Sequence, residues 1–281
     1  MPELPEVEIT ARLLDAALRG ARVESALAPG VNALKTYDPP LTALSGASIR
    51  RVGRRGKLLL VELEPDLVLL VHLMSAGRLQ LFDSRASLRD RTSRLLVRLE
   101  DGRELRLREF GTKQRAWAKL LRPGGLAEEE TLSELGAEAW PEPPELSQLL
   151  DIPRPLNALL RDQHVIAGIG RSWADEILHD AMLSPFKRGS DLEADQAQRL
   201  RESTVRRLGE AIARYEQVMA LPLPDKLPMP LRVHRHNGEP CPRCGDQLEA
   251  VFYEDYVMCY CPTCQTDGKL LKDRRRSRLL K

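Results

Sequence analysis

The chain has 281 residues, 42% of them hydrophobic and 30% charged, with a formal net charge of +2. This is the composition of a globular protein long enough for two or three domains, each with its own core. No apolar run is long enough to span a bilayer, and the acidic, proline-bearing N-terminus lacks the basic-then-apolar layout of a signal peptide, so a cytoplasmic location is expected and no membrane partner.

Residues 5–18 place Val7, Ala11, Leu14 and Leu18 at helical spacing, with Gly20 as the stop. From 21 to 121 the apolar period drops to two. Leu58–Leu63 and Leu67–Leu73 read as strands joined at Glu64-Pro65-Asp66, and Leu95–Leu99 and Leu105–Phe110 as strands joined at Asp101-Gly102. Trp117–Leu121 closes the run. One helix followed by about eight short strands predicts a sheet sandwich or barrel with the helix packed on it.

Residues 122–154 are rich in Pro, Gly and Glu and read as a linker. Beyond them the pattern is helical. Leu156, Leu159 and Leu160 begin one helix, and Ser172 to Leu183 form another. Ser190 and Glu193 fit a capping box before a long helix faced by Leu200, Thr204, Leu208, Ala211, Tyr215 and Val218, which Pro222, Pro224, Pro228 and Pro230 end. The expected organisation is an α+β multidomain chain. Its parts are a catalytic β-domain over 1–130, a linker over 131–154, a helical domain over 155–230, a cysteine-bearing unit over 236–268 and a basic tail over 269–281.

Charge is unevenly spread. The tail carries seven Lys or Arg against the single Asp273, and the stretch from Arg50 to Lys57 holds no acid at all. Such clusters suit a polyanion, although a solvated charged face looks the same.

Three constellations carry chemistry. The first is Met1-Pro2-Glu3-Leu4-Pro5-Glu6. Removal of Met1 leaves Pro2 as a secondary amine, nucleophilic and less basic than a lysine, which can attack a carbonyl or sugar aldehyde to give an imine. Glu3 and Glu6 follow within one helical turn, one suited to general acid work and the other to steadying an iminium. The same residues also make an ordinary acidic helix start. The second is Cys241-Pro-Arg-Cys244, then sixteen residues, then Cys261-Pro-Thr-Cys264. This spacing builds a four-thiolate zinc site that leaves no open position, hence a structural metal. Cys259 reads as a buried neighbour. The third joins Gly168-Ile169-Gly170 before a helix, where backbone N–H groups can approach an anion, to the loops His72–Gly77 and Arg108–Gly111. In those loops an apolar or aromatic side chain beside an arginine, Met74 or Phe110, can wedge between bases; ordinary core is the competing reading.

Together these residues resemble the formamidopyrimidine-DNA glycosylase / endonuclease VIII family over nearly the whole chain. The match runs from Pro-Glu-Leu-Pro-Glu through Gly56-Lys57, His72-Leu73 with Gly77, Arg108 with Phe110-Gly111, and Gly168-Ile169-Gly170 to Asn237-Gly238-Glu239-Pro240-Cys241 and the cysteine pairs. The resemblance implies an N-terminal β-sandwich, a helix–two-turn–helix DNA-binding domain and a C-terminal zinc-finger hairpin. It implies a monomeric, nucleoid-associated bacterial enzyme that flips an oxidised base out of double-stranded DNA. By resemblance Pro2 forms the Schiff base, Glu3 donates the proton, Glu6 supports and Lys57 assists β-elimination. Met74, Arg108, Phe110, Gly168, Gly170 and Arg171 would contact DNA, and Cys241, Cys244, Cys261 and Cys264 would hold one zinc ion.

Three positions depart from the family pattern. Ser75 stands where the usual methionine wedge falls, with Met74 adjacent. Arg171 replaces an asparagine that holds phosphate. Tyr256, beside Glu254 and Asp255, replaces the arginine of the zinc hairpin, so either cleavage stops at β-elimination or the enzyme is slow on standard lesions. The segment Leu221–Val233 is short, which tilts the expected range towards oxidised pyrimidines. The competing readings are a non-catalytic damage binder on this scaffold, a zinc-ribbon nucleic-acid module with an unrelated β-domain, and a family enzyme for an unusual lesion. Retention of Pro2, Glu3, Glu6 and Lys57 speaks against a pure binder.

Overall fold

The computed structural model describes residues 1–87, 89–110 and 113–271. Gly111 and most of the basic tail lie outside the described residues. The chain divides into two compact units, Met1–Glu134 with Ile212–Pro228, and Leu135–Ala211 with Met229–Lys281.

The first unit opens on α1 (Leu4–Leu18), whose start is a capping box. Glu3 is the N-cap, and its backbone N–H donates to the Glu6 carboxylate at 2.8 Å. The stripe Val7, Ala11, Leu14 and Leu18 is buried as predicted, and α1 packs on β2 (Ser48–Arg55). Each leucine so covered contributes about 1.5–3 kcal/mol. Gly20, in the left-handed region at φ 80°, lets the chain turn away.

β2 continues antiparallel into β3 (Leu58–Glu64), β4 (Leu67–His72) and β8 (Trp117–Leu121), in the order β2-β3-β4-β8. The other sheet has the order β1-β6-β7-β5, from β1 (Val23–Leu27), β5 (Gly77–Phe82), β6 (Ser93–Leu99) and β7 (Glu104–Glu109). One hydrophobic cluster joins Leu59, Val61, Leu69 and Val71 of the first sheet to Leu79, Leu81, Leu95, Val97, Leu105 and Leu107 of the second and to the α1 stripe. This is a β-sandwich with one helix against it. The expected turns form: Pro65-Asp66 lies between β3 and β4, and Asp101-Gly102 between β6 and β7. Gly56-Lys57, read as part of a basic strand, instead closes the β2–β3 hairpin, where Arg55 faces Leu58.

After α2 (Glu130–Ser133), the second unit holds β9 (Ala137–Glu138), α3 (Leu146–Leu149), α4 (Leu156–Arg161), β10 (Ile166–Ala167) and α5 (Arg171–Asp180). The long α6 (Ala194–Val218) comes next, followed by the hairpin β11 (Glu249–Phe252) and β12 (Val257–Tyr260), and then α7 (Pro262–Thr266). Trp173 is fully buried in α5.

Three local expectations are corrected. The Ser190/Glu193 capping box does not form: α6 starts at Ala194, and Glu193 N–H instead meets the Gln196 side chain at 3.3 Å. Val218 is 45% exposed although it continues the buried α6 face, because it sits on the last turn. α5 stops at Asp180 rather than Leu183, since Met182 adopts φ 56° and reverses the chain.

Candidate active site and nucleic-acid interface

Pro2, Glu3 and Glu6 are all buried. The Glu6 carboxylate is held on both oxygens. Oε2 accepts from Glu3 N–H at 2.8 Å, and Oε1 accepts from the Tyr215 hydroxyl at 2.7 Å. Burial and the Glu6 charge push the Tyr215 phenol up, so it stays protonated as a donor. Glu6 also acts electrostatically on Arg78, whose guanidinium is pulled down by burial and back up by Glu6 and Asp225.

Asp225 extends this chain of charges to Arg108. Its backbone carbonyl accepts from Arg78 at 2.9 Å, and its Oδ1 accepts from Arg108 at 3.0 Å and from Gln80 at 3.2 Å. Arg108 also reaches Gln80 Oε1 and Thr92 Oγ1, and its guanidinium lies 4.7 Å from the Phe110 ring centroid. The two candidate wedge loops meet, since Gly77 pairs with Glu109 and Phe110 N–H donates to Ala76 C=O at 3.2 Å.

Met74 tops a tight turn in the left-handed region at φ 50°, half-buried, beside exposed Ser75. His72 Nδ1 accepts the Met74 N–H at 2.9 Å. Only glycine fits three residues on, because a Cβ at Gly77 would stand 2.4 Å from the Leu73 carbonyl. Burial, and then the nearby Lys57 ammonium, bring the His72 imidazole down to about 4. His72 also stacks on Trp117 at 5.6 Å. Lys57 is thus placed beside the His72–Met74 turn.

In the second unit Gly168 sits at φ 107° with its N–H on Gln163 Oε1 at 3.0 Å, and Gly170 is the N-cap of α5. Arg171, the first residue of that helix, bonds Asp255 twice, to the backbone carbonyl at 2.8 Å and to Oδ2 at 2.6 Å. The Tyr256 ring lies 4.7 Å from Arg171 and 4.3 Å from Arg161, and it stacks on Tyr253 at 4.2 Å.

The Sγ atoms of Cys241, Cys244, Cys261 and Cys264 all lie within 4.8 Å of one another. A tetrahedral zinc with Zn–S near 2.3 Å needs edges of about 3.8 Å. The Cys241–Cys264 and Cys244–Cys261 edges are 3.9 and 3.5 Å, so the four thiolates fit the ion. His179 Nε2, from α5, stands 3.1 Å from Cys241 Sγ. Cys259 is buried outside this cluster and accepts the Arg235 N–H at 3.2 Å.

Known proteins resemble this chain over most of its length. The N-terminal domain model of formamidopyrimidine-DNA glycosylase matches residues 1–113, and the H2TH domain model of the same enzyme matches 142–221. The formamidopyrimidine-DNA glycosylase of Bacillus cereus is 30% identical over 280 residues, covering 94% of this chain and 99% of that protein. The chain belongs to the formamidopyrimidine-DNA glycosylase family. A formamidopyrimidine-DNA glycosylase-like protein of Mycobacterium tuberculosis is 45% identical over 126 residues, 45% of this chain and 80% of that one. The structure of Lactococcus lactis Fpg with DNA containing N7-benzyl-Fapy-dG superposes with a TM-score of 0.84 at 25% identity, covering 94% of this chain and 100% of that one. Membership makes the chain a DNA glycosylase by class, and its cysteine cluster is the family's structural zinc site.

Several residues of this glycosylase escape a reading of the sequence. Tyr215 and Arg78 come to Glu6, and Asp225 to Arg78 and Arg108, only in three dimensions. Asp175 and Glu176 left one usable signal, two acids inside an otherwise apolar stretch of α5. Glu176 Oε1 accepts the N–H groups of Arg232, Val233 and His234 at 3.0, 2.8 and 3.0 Å, and Asp175 bonds His234 and the Cys259 N–H.

Proposed function

We propose that the chain is a base-excision DNA glycosylase with AP lyase activity on oxidised bases in double-stranded DNA, acting as a monomer through Pro2. Residues 1–130 carry the chemistry, 131–154 link, 155–230 and the zinc unit 236–268 grip DNA, and the tail from 269 adds non-specific attraction. After Met1 is removed, the neutral Pro2 nitrogen attacks C1′ of the flipped nucleotide, the bond from C1′ to the base breaks, and the proton that the nitrogen gives up goes to the departing base. Glu3 protonates O4′ as the sugar ring opens, leaving an iminium between Pro2 and C1′. Loss of a C2′ proton then expels the 3′ phosphate, and water releases Pro2. Glu6, fixed by Tyr215 and the Glu3 N–H, places negative charge beside that cation, and Lys57 contacts phosphate and assists the elimination. Met74, Arg108 and Phe110 fill the space of the extruded base, and Gly168, Gly170 and Arg171 hold backbone phosphate. Zinc, held by the four cysteines, is structural.

The observation that carries this reading is the buried pair Glu3 and Glu6 next to residue 2, with Glu6 bonded on both oxygens. A helix start alone needs no second donor from a residue 209 positions away.

Borohydride trapping tests it. The processed protein, incubated with duplexes bearing an abasic site, 8-oxoguanine or an oxidised thymine and then reduced, is expected to yield a covalent adduct that Pro2→Gly with a blocked N-terminus abolishes. Glu3→Gln should suppress it. No adduct on any duplex, with DNA binding retained, overturns the lyase.

A further inference from the structure

The tip of the β11–β12 hairpin gathers charge around an aromatic ring. Two guanidinium groups, Arg161 at the end of α4 and Arg171 at the start of α5, face one tyrosine ring, Tyr256, at 4.3 and 4.7 Å. Tyr253 stacks on that ring with an interplanar angle of 5°, so the spacer is rigid. Asn157 Oδ1 steadies Arg161 at 3.2 Å. The anion bonded at the cluster is Asp255, held by Arg171, with its carboxyl below the usual range because of Arg171 and, more weakly, Arg161.

This pair is exposed, as Arg122–Asp38 also is, but it alone of the two lies against a ring shared with a second arginine. The carboxylates of Arg54–Glu8 and Arg106–Glu104 are 15% and 0% exposed, whereas Asp255 is 71% exposed and its arginine 38%. An exposed ion pair contributes little and yields readily to a competing anion. Planar guanidinium groups take a phosphate oxygen pair in the same way that they take a carboxylate. With Asp255 moved aside, the cluster presents two cations on one aromatic support.

We propose that Arg161 and Arg171, spaced by Tyr256, form a phosphodiester clamp whose anion place is occupied in the free protein by Asp255. The clamp rests on the DNA-binding part of the function proposed above. Asp255 acts as an internal competitor, so DNA pays out a carboxylate before it gains two arginines.

The test is fluorescence anisotropy of the full-length, zinc-loaded protein on a duplex with a tetrahydrofuran abasic analogue, across a salt series. Asp255→Asn is expected to bind about two- to fivefold tighter, the amount an exposed ion pair withholds. Arg161→Gln and Arg171→Gln should each weaken binding and flatten the log–log salt slope by about 0.9, one phosphate contact each. In an Arg171→Gln background the gain from Asp255→Asn should vanish. Unchanged or weaker binding by Asp255→Asn overturns the competitor role, and an unchanged salt slope in folded Arg161→Gln overturns the two-arginine clamp. Adduct trapping, read on the same proteins, keeps the two proposals apart. Wild-type trapping with variant slopes unchanged from wild type sinks the clamp alone, and flattened slopes without any adduct sink the lyase alone.

Discussion

The Tyr215 hydroxyl donates to Glu6 Oε1 at 2.7 Å, tying the end of α6 to the first turn of α1. Both side chains are buried, so the bond works where water cannot replace it. Tyr215→Phe leaves one carboxylate oxygen without this donor. A hydrogen bond to a buried charge is worth about 1.5–3 kcal/mol, and that much loss of stability is expected in urea unfolding. Adduct formation should slow as well, because Glu6 would no longer be fixed beside the iminium. Normal trapping kinetics in a destabilised variant would assign Tyr215 to packing alone.

Glu176 is the corresponding support in the second unit. One carboxylate oxygen takes three consecutive backbone N–H groups, and the other faces Arg207 at 3.4 Å. This holds the segment from Arg232 to His234, just ahead of the zinc unit, onto α5. Glu176→Gln turns an amide N–H₂ towards donors or towards Arg207, and should cost about 2–4 kcal/mol. Hydrogen exchange at Val233 and His234 should rise by orders of magnitude while the β-sandwich amides stay protected. Equal loss across both units would contradict this local role.

Local periodicity is what made the fold readable. The α1 stripe, the alternation along β6 and β7 and the glycine at Asp101-Gly102 each announce an element within a few residues, and the paired CxxC motifs announce a metal. Contacts across the chain gave no such signal. Tyr215 reads as one more apolar position on a helix face, and Asp225 as a polar residue in a proline-rich segment, yet each contacts residues placed more than a hundred positions away. The hairpin departure at Tyr256 was visible; the approach of Arg161 to its ring was not, since nothing in the local pattern around Arg161 points to a ring 95 positions on. The Ser190 cap failed for the opposite reason, a local motif overruled by where α6 begins.

Metal analysis should separate the cysteines. Cys244→Ser removes a ligand from the four-Sγ cluster, and the zinc content of the purified protein should fall below one per chain, with loss of the β11–β12 hairpin and of DNA binding. Cys259→Ala should keep one zinc and lose about 1 kcal/mol of packing. Equal metal loss in both variants would make Cys259 a ligand after all.

The His72 imidazole gives the sandwich a pH dependence of defined sign. Its folded value of about 4 lies below the ordinary 6.5, so between these limits the unfolded chain binds a proton that the folded chain does not. Stability from this residue is therefore complete above pH 6.5 and is lost as pH falls towards 4, by up to about 3 kcal/mol. Asn at 72 keeps an acceptor for the Met74 N–H and carries no proton. The gap between wild type and His72→Asn in urea unfolding should thus swing against wild type on acidification. Asp175, raised to about 6 by burial, works in the opposite direction, but both proteins carry it and it cancels in the difference. Lys57→Met should shrink the swing, because the ammonium is the second reason why His72 stays neutral. A difference that stays constant from pH 7 to pH 4 would mean that His72 takes up its proton in the folded state at its ordinary value, and that the turn bearing Met74 tolerates a cation beside Lys57.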